Sequence, residues 1–353
     1  MSERDVEVGR SPEGDGPAIR PRSVEPYLRG VAWPAGAGVS YPRADPADVG
    51  RLPADTWGTA TLPVGVRLEL VGDATALDVS YVTATDDMGY RGPGAGTRFS
   101  VWREGAQVDQ QVAVLGEGHA RLELGRGDMR AIVYLPEGMR PTVLSIAGIG
   151  GEIFPASRQP RWLAYGDSIA EGWIASGPAG AWPAIVGRDR WFDVVNLGYA
   201  GSARGEIVSA EQVASLDAEV ISITHGTNCW TRIPHSVDMM RSTTEAFVRI
   251  VRAGHPGGPI VLASPVVRPD AEETPNKLGA TLADLRAAME DAGRVLVDEG
   301  DDLLTVLPGG DLLAPTLLAD GVHPGDEGHQ VLARAFGEAL VVAYESTQAT
   351  NAG

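Results

Sequence analysis

Ser168, in Gly166-Asp167-Ser168-Ile169, and the pair Asp320 and His323, in Asp320-Gly321-Val322-His323-Pro324, are the residues of this chain best equipped for chemistry. A serine hydroxyl is a poor nucleophile until a base takes its proton, and that base needs an orienting partner. His323 supplies the base. Asp320, three residues earlier on a short loop, can accept a hydrogen bond from the second ring nitrogen, fixing the tautomer and stabilising the imidazolium. Two more segments, Asn196-Leu197-Gly198-Tyr199-Ala200-Gly201 and Gly226-Thr227-Asn228, offer donors for an oxyanion. Each segment alone reads as an ordinary turn. In combination they are the equipment of a serine acyl hydrolase.

These groups lie far apart in the chain, so regular elements must bring them together. From about residue 161, apolar strand-like runs at 162–165, 192–196, 220–224, 260–263 and 303–306 alternate with helical patterns. Such alternation predicts parallel βαβ units, hence an α/β fold. Leu282, Leu285, Met289, Ala292 and Leu296 keep the spacing of one buried helix face. Met240, Phe247 and Val251 do the same, as do Leu332, Phe336 and Leu340. In an open parallel sheet, ligands bind at the carboxyl ends of the strands. Ser168, Gly201 and Asn228 each follow a predicted strand, so three loops converge there.

The first half has a different texture. Short alternating or β-branched runs at 64–70, 76–82, 98–102, 111–115, 120–124 and 131–135 are separated by Gly, Pro and Asp. Without helical patterns between them, they predict an antiparallel, jelly-roll-like β-sandwich. The resulting plan is a disordered segment over 1–25, a sandwich over 26–155, the α/β domain over 156–345 and a flexible tail over 346–353.

The four segments, in this order, resemble the blocks of the SGNH (GDSL-type) hydrolase superfamily. That resemblance covers roughly residues 160 to 345 and implies a flavodoxin-like three-layer domain. It assigns Ser168, Asp320 and His323 as the catalytic triad. It also assigns the Ser168 N–H, the Gly201 N–H and the Asn228 side-chain amide to the oxyanion hole. Asp167 receives no chemical step and is read as structural. A sandwich ahead of such a domain is similar to two-domain carbohydrate-esterase-like enzymes and to actinobacterial esterases and acyltransferases. Many members carry aspartate after the asparagine of the third block, where this chain has Cys229.

Around the site, His225, Cys229, Trp230 and Arg268 are candidates for the substrate pocket. Each also has a plainer reading: a strand-end histidine, a buried thiol, a cleft wall and a surface ion pair. Trp57, Tyr81, Tyr90 and Trp102 could stack on sugars, although aromatics in a sandwich are more often core, which favours the sandwich as lid or support.

Composition narrows the partners. The formal net charge of -18 with no offsetting basic stripe argues against nucleic acid and anionic membranes. No apolar run has the length of a membrane span, and no Sec-type signal precedes the polar first residues, so a cytoplasmic location is expected. Cys229 is the single cysteine, which rules out an internal disulfide. The six histidines are scattered, no metal-ligand spacing occurs, and neither metal nor cofactor is expected. The expected activity is ester hydrolysis of a small-molecule or carbohydrate substrate. Acyl transfer to an alcohol and a binding protein with a decayed site remain as alternatives, and oligomeric state is not legible.

Overall fold

The computed structural model describes residues 21–86, 96–127 and 129–351, so most of the segment expected to be disordered, and Tyr90, lie outside the described residues. The first half contributes β1 (Leu28–Arg29), helix α1 (Ala54–Ala60), β2 (Arg67–Gly72), β3 (Ala76–Thr83), β4 (Arg98–Arg103) and β5 (Ala106–Val112). It continues with β6 (Gly116–Glu123), β7 (Ala131–Tyr134), β8 (Pro141–Ile149) and β9 (Ile153–Pro155). These strands build two antiparallel sheets, one in the order β1-β2-β7-β4-β5 with β9 also paired to β2, and one in the order β6-β3-β8. Alternation drives the packing. Leu77, Val79 and Tyr81 on β3 point into a core shared with Leu68, Leu70, Phe99, Val101, Leu122 and Val133. Tyr81 is therefore core, not a sugar platform.

The strand expected at 111–115 lies earlier, at Ala106–Val112. Glu104 and Gly105 both have positive φ (53° and 77°), the signature of a two-residue hairpin turn that fixes where β5 must start. Val112, the last residue of β5, and Val114 and Leu115 beyond it are left exposed. Residues 21–25 are ordered, against expectation: Arg22 pairs with Ile146, and Val24 is buried in the sandwich core.

The second half follows the alternating pattern. It contains β10 (Arg161–Gly166), α2 (Ser168–Glu171), α3 (Trp182–Asp189), β11 (Asp193–Gly198), α4 (Ile207–Ser215), β12 (Val220–Thr224) and α5 (Thr227–Thr231). Then come α6 (Val237–Gly254), β13 (Ile260–Ala263), α7 (Leu282–Asp298), β14 (Leu304–Leu307) and α8 (Asp326–Asn351). The sheet is parallel throughout in the order β11-β10-β12-β13-β14, the flavodoxin-like arrangement. Strand residues alternate between two cores. Leu163 and Tyr165 meet α4, α6 and α7, while Trp162 and Ala164 meet α3 and α8. Helix α8 runs on through the expected tail as far as Asn351, where the Ser346 and Thr347 hydroxyls bond carbonyls three residues back.

The order reverses between β10 and β12, so the crevice of the sheet opens where Ser168 and Asn228 emerge. A stretch of the first half also belongs to this side of the molecule: Trp33, Ala44, Leu52 and Ala60 pack in the same cluster as Leu163, Tyr165 and Leu197.

Candidate active site

Strand β10 ends at Gly166, and no side chain fits there. A Cβ would lie 2.6 Å from both the Thr224 carbonyl oxygen and the Ala170 Cβ. Asp167 then caps α2, its carboxylate accepting from the Ile169 N–H at 3.0 Å. Ser168 is thereby held at the first helical position, 7% exposed. Its N–H, with no acceptor one turn back, has no hydrogen-bond partner among the described residues.

Burial pushes the Asp167 carboxyl up to about 6, despite the Ile169 N–H and the nearby His323, which act to lower it. A raised carboxyl pKa stabilises the fold most below the ordinary value, and that contribution is lost as pH rises through about 6. Asp167→Asn keeps an oxygen for the cap and removes the buried charge. Its melting temperature relative to wild type is therefore expected to be higher at pH 8 than at pH 4. The same difference at both pH values would contradict this account.

The histidine loop organises itself around Asp320. One carboxylate oxygen accepts from the N–H groups of Val322 (2.9 Å) and His323 (2.7 Å), and the other meets His323 Nδ1 at 2.8 Å. Partial burial works against the charge, but the His323 ring and these two N–H groups outweigh it and hold the carboxyl below its usual value. An ionised Asp320 can only accept, so Nδ1 carries the proton and Nε2 is free to accept. Nε2 lies 2.8 Å from Ser168 Oγ. Trp173 stacks on the His323 ring at 5.5 Å between centroids, limiting its rotation.

Gly201 has φ of +70°, and its N–H also lacks a partner among the described residues. One Asn228 amide N–H donates to the Ser202 carbonyl, which fixes the amide and leaves the second N–H unengaged. The Gly201 loop is braced from behind. Glu171 accepts from the Ala200 N–H at 2.7 Å and lies 3.5 Å from Arg43, a residue of the first half. The Arg43 guanidinium, 1% exposed, also donates to the carbonyls of Gly198, Thr59 (2.7 Å) and Leu62 (2.6 Å). Tyr199 returns a hydrogen bond from its hydroxyl to the Arg43 carbonyl at 2.6 Å.

Ser168, His323, Gly201 and Asn228 open onto one cavity of about 340 Å³, with Trp173, Thr227, Thr231, Arg232 and Arg268 also in its wall. A larger cavity of about 1040 Å³ lies between β4 and β5 and the helices α3 and α8, but it contains no nucleophile-base pair. The chemistry singles out the smaller one.

Of the four expected pocket residues, only Arg268 reaches this cavity, and it is engaged by Asp270 at 2.8 and 2.9 Å and lies over Trp230. Trp230 turns away to donate to the Thr274 carbonyl at 2.8 Å. Cys229 is fully buried in the α4–α6–α7 core, and burial raises its thiol pKa, which suits packing and not nucleophilic chemistry. His225 is 1% exposed against Tyr165 and Phe247, and burial pushes it down to about 3, so it stays neutral. The reason is helical. In α5 and at the residue that caps its C-terminus, Thr227 and Thr231, and Asn228 and Arg232, stand four residues apart on the face toward the cavity, whereas Cys229 and Trp230 project elsewhere. Counting in fours from Asn228 would have found Arg232. Arg43 carried no comparable signal.

Residues 164–331 match the model of the GDSL-like lipase/acylhydrolase family. A structure described as a candidate GDSL-like lipase from Bacteroides ovatus is similar over 93% of this chain and 98% of its own, with a TM-score of 0.77 and 20% identity. The salicylyl-acyltransferase SsfX3 from a tetracycline biosynthetic pathway is 25% identical, with a TM-score of 0.75 over 95% of this chain and 97% of its own. The acetyl xylan esterase Est2A from the rumen bacterium Butyrivibrio proteoclasticus shares the fold over 91% and 97% of the two chains, at a TM-score of 0.58 and 13% identity. No curated protein matches the chain in sequence.

Proposed function

The chain carries a GDSL-like lipase/acylhydrolase domain and is an enzyme, and from that premise we propose that it is a serine-dependent esterase working through an acyl-enzyme. The observation that carries this reading is the chain of contacts from Ser168 Oγ to His323 Nε2 to Asp320, two steps of 2.8 Å at the mouth of one cavity.

Ser168 Oγ attacks the ester carbonyl while its proton passes to His323 Nε2, and Asp320 stabilises the imidazolium. The carbonyl oxygen gains the charge and is met by the N–H of Ser168, the N–H of Gly201 and the free amide N–H of Asn228. Collapse breaks the ester bond, and the leaving alkoxide takes the proton from His323. Water then enters, gives its proton to Nε2, and its oxygen displaces Ser168 from the acyl carbon. The free acid leaves, and the proton returns from His323 to Ser168. The substrate is a small-molecule or carbohydrate ester.

Acyl transfer is the second reading, favoured by the likeness to a salicylyl-acyltransferase over nearly the whole chain. It uses the same acyl-enzyme with an alcohol in place of water. Mixing the enzyme with excess p-nitrophenyl acetate separates the two. Continued Ser168-dependent release of p-nitrophenol supports hydrolysis. A burst of one equivalent that stalls, and resumes on adding an alcohol, supports transfer. Release that is the same with Ser168→Ala contradicts both.

A further inference from the structure

Two cations, Arg232 and Arg268, line the reaction cavity, and the proposed chemistry uses neither. Among the described residues the Arg232 guanidinium has no hydrogen bond and no ion pair, in contrast to Arg268, which Asp270 engages at 2.8 and 2.9 Å. It lies directly over the Gly201 loop. A Cβ built on Gly201 would sit 3.4 Å from both its Cζ and its Nη2, so the guanidinium is in van der Waals reach of the Gly201 backbone. The cavity wall of Ser168, Trp173, Ala200, Gly201, Thr227, Asn228, Thr231, Arg232, Arg268, Val322 and His323 contains no carboxylate side chain. Arg232 is thus an unneutralised cation at this cavity in a chain whose net charge is -18.

Such an arrangement opposes the rest of the molecule, whose net field repels anions. An unpaired guanidinium beside the reacting centre offers the planar, two-pronged donor set that matches a carboxylate or phosphate. Resting on the esterase or acyltransferase reading above, we propose that the substrate is an anionic ester, and that Arg232 binds its carboxylate or phosphate while Ser168 attacks the carbonyl.

Matched ester pairs test this on both sides of the scissile bond. On the acyl side, p-nitrophenyl succinate is compared with its neutral isostere p-nitrophenyl isohexanoate. On the alcohol side, p-acetoxybenzoate is compared with p-tolyl acetate. For each pair the ratio of kcat/KM, anionic over neutral, is measured in wild type, Arg232→Ala, Arg232→Lys and Arg232→Glu. Comparing the ratio between proteins cancels the intrinsic reactivity of the esters. In at least one pair Arg232→Ala is expected to lower the ratio by about tenfold or more, with Arg232→Lys retaining part and Arg232→Glu falling furthest. The difference should shrink in high salt. The arm that responds identifies which half of the ester bears the charge. Ratios unchanged within about twofold in both arms would overturn the proposal, including the case where Arg232 merely steadies the oxyanion and both esters suffer alike. Calorimetric binding of p-nitrophenyl succinate and p-acetoxybenzoate to Ser168→Ala, with and without Arg232→Ala, separates two failures. Arg232-dependent binding without Ser168-dependent turnover would sink the serine mechanism and leave the anion site standing. Turnover without any Arg232 dependence would do the reverse.

Discussion

Ser168→Ala is expected to lower kcat for p-nitrophenyl acetate by roughly 10⁵–10⁶-fold, because the nucleophile and its base act as one unit. The fold should be untouched. Ser168 sits at the first position of α2, a helix that Asp167 caps, and its hydroxyl has His323 as its partner. Asp320→Asn should be milder, at about 10⁴-fold, since the general base remains but loses the carboxylate that selects its tautomer. Asp320 also receives the Val322 and His323 N–H groups, and an asparagine oxygen can keep those bonds, so the loop should survive. Hydrolysis rates of wild type and both variants, with melting curves to exclude unfolding, check the ranking. Equal losses in the two variants would point to a collapsed loop and not a lost tautomer.

The second large effect lies far from Ser168 in sequence. Arg43→Met would remove a buried guanidinium that pairs with Glu171 and donates to the carbonyls of Gly198, Thr59 and Leu62. Breaking one side of a buried ion pair costs about 3–5 kcal/mol, because the remaining charge stays in a poorly solvated place. Glu171 would then be unbalanced while it holds the Ala200 N–H, so the neighbouring Gly201 donor should lose its position as well. The expected outcome is a clear fall in stability by urea unfolding, together with a fall in kcat greater than any rise in KM. Arg43→Met combined with Glu171→Gln should recover part of the stability, since it also removes the buried carboxylate charge that Arg43 faced. Full stability and full activity in Arg43→Met would show that the brace has no role in the site.

The contrast between Ser168 and Arg43 explains what the sequence could reveal. Strand ends mark themselves through apolar runs that stop at, or just before, a glycine. The loops bearing Ser168, Gly201 and Asn228 could therefore be assigned to one edge of a parallel sheet without coordinates. Asp320 and His323 are legible because they interact across three residues. Arg43 bonds Gly198 across 155 positions, and nothing local in Tyr41-Pro42-Arg43-Ala44 distinguishes it from a surface arginine. Long β8 escaped for a different reason. It opens on Pro141, carries Gly148, and buries its residues irregularly, so the two-residue period is blurred. Cys229 and Trp230 read as pocket residues in the sequence because they are adjacent to Asn228 in the chain. On a helical turn the residues one and two places on rotate away, and Thr231 and Arg232, one turn further along, line the cavity instead.

The same turn bears on the first half of the molecule. Strands β2 to β9 form a sandwich with its own core, but the segment between β1 and β2 packs on the α/β side and delivers Arg43, while Thr59 donates to the Ala200 carbonyl at 3.3 Å. The first half therefore supports the Gly201 loop directly, which fits a supporting role better than a separate sugar-binding module.

The central claim is that an acyl group passes through Ser168, and trapping that intermediate tests it most directly. Wild-type enzyme is mixed with p-nitrophenyl acetate, quenched in acid before turnover, and analysed by intact mass and then by peptide mapping. A single acetyl adduct on the peptide containing Ser168, absent from Ser168→Ala and accumulating when Asp320→Asn slows its removal, is the predicted result. Hydrolysis that proceeds with no adduct on Ser168 at any time, or an adduct that persists in Ser168→Ala at the wild-type level, would contradict the account.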